Sequence, residues 1–86
     1  MARLIPAAER IARARKLIQQ ARDLPVPAEG GRGNFSYVAQ VKDLLRQARE
    51  LVKFIPLSPS ATDQTKEDAR QIAEDATRAD REILHG

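Results

Sequence analysis

The chain contains no cysteine, which removes disulfides, thiolate metal sites and a cysteine nucleophile at once. Histidine is almost as scarce. The single one, His85, stands beside the terminal Gly86, a place expected to be a solvated chain end. Serine–histidine and cysteine–histidine catalysis therefore have no residues to work with, and the chain is expected not to be an enzyme. Aromatic residues number three, Phe35, Tyr37 and Phe54, with no tryptophan. That is a poor supply for stacking on single-stranded nucleic acid. No apolar run approaches the roughly 20 residues that a membrane-spanning helix needs. Glycine and proline are few and clustered, with Pro25, Pro27, Gly30, Gly31 and Gly33 all inside one short stretch. They mark a loop. The cluster lacks the spacing and the following Lys-Ser/Thr pair of a phosphate-binding loop.

What remains is helical in pattern. Across 86 residues, one small domain is the natural reading. A chain of this size buries only about 60% of its extended surface, so marginal stability is expected. The central stretch, residues 34–55, carries Val38, Val41, Leu45, Ala48, Val52 and Ile55 at the alternating spacing that lines one helix face. A second row of Tyr37, Leu44 and Leu51 widens that face beyond a narrow seam. Asn34 is a good cap for its start, and Pro56 stops it.

The flanking stretches are weaker versions of the same design. Near the start, Leu4, Ile11 and Ile18 alternate with Ala7, Ala14 and Ala21, and Leu17 extends the stripe. Pro6 suits a first helical position, and Glu9 suits the first turn. Near the end, the stripe is Thr65, Ala69, Ile72, Ala76, Ala79 and Ile83, with Ala73 alongside. Ser58 or Ser60 would supply its cap. Helices are expected over residues 5–24, 34–55 and 59–84 of one domain spanning 1–86. A short connector makes the last helix antiparallel to the second. The fold class is all-α, an antiparallel three-helix bundle.

Charge is distributed unevenly along a chain of net +3. The first helix is basic, with Arg10, Arg13, Arg15, Lys16 and Arg22, whereas the last third holds seven acids against four bases. The bland explanation is charge complementarity within one bundle. An arginine-rich start also describes organellar presequences, but Glu9, Asp23 and the lack of serine there argue against one. Asp68, Asp75 and Glu82 form a carboxylate column at seven-residue spacing. Seven residues is about 10 Å along a helix, too far for carboxylates to share a metal. Neither a metal nor a cofactor is expected. Nucleic-acid binding by the first helix is disfavoured, because a helix–turn–helix needs a much shorter turn and the acidic last helix repels a polyanion.

A protein or peptide partner is the expectation that survives. Leu44 and Leu51 flank the main stripe, and Ala73 offers a shallow wall on the last helix. An apolar groove between two helices is what an incoming amphipathic helix needs. The alternative is that the second row is the other half of the core. Several short phrases also resemble the microtubule-interacting-and-trafficking (MIT) domain. They are Ala14-Arg15-Lys16-Leu17-Ile18-Gln19-Gln20-Ala21, Gly33-Asn34-Phe35, Leu44-Leu45 with Ala48, and Arg78-Ala79-Asp80. The resemblance implies a cytoplasmic, endosome-associated adaptor in protein transport that binds the tails of ESCRT-III subunits. It implies a peptide groove between the second and third helices, formed by Leu44, Leu51, Ala73, Asp75 and Glu82. Against it stand a self-associating structural bundle, and binding of nucleic acid or an anionic membrane surface by the basic first helix; the chain itself is expected to be a monomer or a weak homo-oligomer.

Overall fold

A computed structural model describes residues 6–85. Among them three α-helices, α1 (Ala7–Asp23), α2 (Phe35–Val52) and α3 (Asp63–His85), pack pairwise as an all-α bundle, with no strand. Leu4, the first apolar residue of the expected α1 stripe, lies outside the described residues. Each helix boundary has a local cause. Pro6 precedes α1 and its carbonyl accepts from the amides of Glu9 and Arg10, both at 3.0 Å. Pro25 follows the last α1 turn and cannot donate onward.

The α1–α2 connection is held by Asn34. Its Oδ1 accepts from the Tyr37 amide at 3.1 Å, capping α2 as expected. Its Nδ2 donates back to the Glu29 carbonyl at 3.0 Å, tying the loop to the cap. Gly30 turns the chain with φ of 81°, and a Cβ there would stand 3.3 Å from that of Asn34. Glycine alone takes this backbone without strain at so tight an approach.

Two boundaries differ from expectation. α2 ends at Val52, not Ile55, and the chain tightens into a 3-10 turn over Ile55–Leu57. Pro56 has no N–H to offer the Val52 carbonyl, so the regular ladder cannot continue. α3 begins at Asp63 rather than near residue 59, and its cap is Thr62. The Thr62 hydroxyl accepts from the Thr65 amide at 3.1 Å. Ser58 and Ser60, the expected caps, instead bond to one another at 3.0 Å.

The core is one cluster drawn from all three helices. Ile11, Ala14, Ile18 and Ala21 come from α1, Tyr37, Val41, Leu45, Ala48 and Val52 from α2, and Ala69, Ile72, Ala76 and Ala79 from α3. Alanines buried on every helix bring backbones close, and the larger volume comes from Leu45, Ile72, Val41 and Val52. The α2 stripe is rotated slightly from the expected one. Tyr37, placed in the second row by spacing alone, is buried, while Val38 is only half-buried. Leu44 and Leu51 are half-buried against the edge of the cluster.

Candidate peptide-binding groove

The faces on either side of the core are identified by two ion pairs between helices. Arg22 Nη1 of α1 meets Glu82 Oε2 of α3 at 2.9 Å. Lys42 Nζ of α2 meets Asp80 Oδ2 of α3 at 3.3 Å. On a helix each residue advances by about 100°, so Leu44 stands roughly 200° round from Lys42, on the opposite flank of α2. Leu51, seven residues further, returns to within about 20° of Leu44. Lys42 faces α3. Leu44 and Leu51 therefore face α1.

The same reading splits the residues on α3. Ala73 is seven residues before Asp80 and shares its α2-facing flank. Asp75 is seven before Glu82 and shares its α1-facing flank. The five residues expected to line one groove thus stand on three different flanks. The charged pair is also engaged. Glu82 holds Arg22, and Asp75 lies 3.4 Å from Arg78 of its own helix. Ala73 borders a shallow hollow of about 460 Å³ whose other lining residues, Glu74, Thr77, Arg78 and Arg81, all belong to α3.

Leu51 does line a groove, between α1 and α2. This hollow of about 570 Å³ is bounded by Arg10, Arg13, Lys16 and Leu17 on α1, and by Arg46, Gln47, Glu50 and Leu51 on α2. A second hollow, of about 540 Å³, continues past the start of α1. Its floor is Ala7, Phe54, Ile55 and Ala61. Arg10 and Leu51 border both hollows, so the two adjoin along a trough between α1 and α2. Phe54, in the lining of the second hollow, is 67% exposed. Single exposed apolar residues are ordinary, but here half-buried Leu17 and Leu51 lead directly to an exposed ring.

The rim chemistry is uneven. Four bases and one acid border the first hollow. Arg13 is held by Glu9 at 3.0 Å and Arg46 by Asp43 at 2.7 Å. Glu50 is neutralised by Lys53 at 2.7 Å, and the Lys53 ammonium also lies 4.9 Å over the Phe54 ring. Hydrogen bonds from Arg46 and Gln47 hold the Asp43 carboxyl below its ordinary pKa, and a bond from Lys53 does the same for Glu50. Asp43 in turn raises Arg46. Each nearby acid is thus tied to a base on its own helix. Lys16 and Arg15 remain exposed on α1.

The carboxylates of the α3 column are each engaged separately. Asp68 accepts from Gln64 at 2.9 Å, and the other two members are paired as above. Among the described residues no three histidine, aspartate or glutamate side chains gather as a metal site. His85 Nε2 sits 3.8 Å from Asp80 at the exposed end of α3. None of the helices among the described residues is long and apolar enough to cross a membrane.

Spacing singled out Leu51 and gave Leu17 only as an extension of the α1 stripe; that they line one hollow depends on packing. Phe54 lies past the end of α2, so no helical period announced it. No protein-family model, curated protein or solved structure matches the chain.

Proposed function

We propose that the chain is a non-catalytic protein-interaction module that takes a short peptide in the trough between α1 and α2. The observation that carries this is the pair of adjoining hollows that share Leu51, the first lined also by half-buried Leu17 and the second by exposed Phe54. An inter-helical groove of this kind suits an amphipathic segment that buries one apolar face. The proposal keeps the class of function implied by the likeness to MIT domains. It moves the receiving surface, because Leu44 and Leu51 stand on the α1 side of α2. Peptides of the ESCRT-III tail type belong among the segments to be tried.

The test is a titration of the isotope-labelled chain with amphipathic helical peptides, following backbone amide shifts. Shifts confined to Leu17, Gln47, Leu51 and Phe54 support the proposal. Shifts centred on Val38, Lys42, Ala73 and Asp80 would place the site between α2 and α3 instead. Leu51→Asp, checked by circular dichroism, is expected to keep the helical signal and lose the shifts. If that variant unfolds, Leu51 belongs to the core and the trough loses its centre.

A further inference from the structure

The rim of the trough carries charge of both signs, and nearly all of it is already matched. Glu9 holds Arg13 at 3.0 Å, and Asp43 holds Arg46 at 2.7 Å. Lys53 holds Glu50, the one acid in the lining of the first hollow, at 2.7 Å. Arg10 is engaged as well. Lys16 is the remaining base of that lining, and it stands exposed. Among the described residues, Arg10 is the single charged side chain lining the second hollow. We infer that the trough takes a protein helix of about four turns with uncharged polar flanks, selected by its apolar face, an inference that rests on the peptide-binding reading above.

Matched charge leaves an incoming charged flank little to gain. A glutamate brought to Arg13 or Arg46 competes with a carboxylate already bonded there, and a lysine brought to Glu50 competes with Lys53. Exchanging one exposed ion pair for another contributes little, while drawing the newcomer's charge partly out of water has a cost. Lys16 alone is a single exposed charge, and salt screens it. The other polar groups on offer are neutral. They are Gln20 and Gln47 in the first hollow, and Ser58 and Ser60 in the second. Amides and hydroxyls on the occupant can bond to these groups without desolvating an ion.

The apolar contacts set its length. From Ala7 to Gln20 the α1 wall is 14 residues, about 20 Å at 1.5 Å per residue. A helix of that length spans both hollows. Its apolar positions, repeating at three and four residues, meet Leu17 and Leu51 in the first hollow, then Phe54 and Ala61 in the second. Phe54 is the main anchor, because a ring 67% exposed has a large apolar area left to bury.

The probes are three designed 18-residue helices with the same leucine stripe and the same soluble outer face. They differ only in the flanks of the stripe, which are glutamine, glutamate or lysine. Binding to the intact chain is followed by fluorescence anisotropy, with amide shifts locating the site. The glutamine helix is expected to bind at Leu17, Gln47, Leu51 and Phe54, at least as tightly as either charged helix. The two charged helices should lie within about threefold of one another. Affinity of the glutamine helix should change less than about twofold between about 50 and about 500 mM salt, and less than about twofold in Lys16→Gln. Phe54→Ala should weaken it about tenfold and leave the melting temperature within a few degrees of wild type.

A charged helix that binds in the trough about tenfold more tightly than the glutamine helix would overturn this inference and leave the peptide reading standing. Affinity that falls steeply with salt would do the same. Unchanged affinity in Phe54→Ala would also overturn it, because the apolar face would then not be what is selected. Shifts from none of the three helices, or shifts only around Lys42, Ala73 and Asp80, would sink both readings. Phosphatidylglycerol vesicles that perturb the trough amides while no helix does would identify a membrane face. Shifts that grow with protein concentration alone would identify a second copy of the chain. Either of these last two results overturns the inference.

Discussion

Leu45→Ala removes side-chain carbons from the centre of α2, where Leu45 is fully buried among residues of the shared core. The transfer loss for that truncation is about 2.4 kcal/mol at 0.8 kcal/mol per buried carbon. The cavity left behind adds to it, and the measured range for such changes is about 2–5 kcal/mol. The upper half is expected here. α2 packs against both other helices, so neither neighbour can move in without leaving the other. At 0.05–0.15 kcal/mol per residue, a chain of this length has about 4–13 kcal/mol in total. The variant should therefore melt about 14–40 °C lower, using 4–8 °C per kcal/mol for a domain of this size. Thermal circular dichroism gives the shift, and urea unfolding gives the energy if the slope is unchanged. Leu57→Ala, at a side chain 76% exposed, is the control and should stay within about 0.5 kcal/mol. A loss below about 1 kcal/mol at Leu45 would mean that α2 is not the axis of the core.

Ala76→Leu should cost about 1–3 kcal/mol in urea unfolding, because a fully buried alanine leaves no room for extra carbons. A neutral result would show that α3 packs loosely. Asn34→Ala removes both the α2 cap and the tether to Glu29, and should lower stability by about 1 kcal/mol. Hydrogen exchange should show the loss concentrated in the first turn of α2. Asp43→Asn tests the exposed pairs. The folded pKa of Asp43 is depressed by its bonds from Arg46 and Gln47, so its contribution is present at neutral pH and lost as pH falls through the carboxylate range. The melting difference between wild type and variant should accordingly shrink on acidification, and a difference that grows would contradict the pairing.

The fold was legible because its evidence is periodic and its breaks are chemical. Pro25, Pro56 and the glycine cluster stop helices whatever surrounds them, and Asn34 caps one by its own side chain. The third cap was misplaced because three candidates, Ser58, Ser60 and Thr62, lie within five residues. Propensity does not rank them. The 3-10 turn at Ile55–Leu57 uses up the residues before Ser58, and the two serines satisfy each other. Thr62 is left to meet the first free amides of α3.

The site was less legible for a geometric reason. Periodicity identifies which side chains of α2 point into the core and which stand on its two flanks, but not which neighbour lies on which flank. Exchanging the positions of α1 and α3 around α2 gives the bundle of opposite hand, with the same buried residues. In that bundle Leu44 and Leu51 would face α3, and they would lie nearer the acidic column, as the likeness to MIT domains implies. The observed hand is recorded by Lys42, which reaches Asp80 of α3 from the flank opposite Leu51. It is also consistent with electrostatics. It sets the basic α1 flank carrying Arg10, Arg13 and Lys16 beside an α2 flank whose own acids, Asp43 and Glu50, are already matched by Arg46 and Lys53. Had the hand been reversed, the α3 carboxylates would border Leu51.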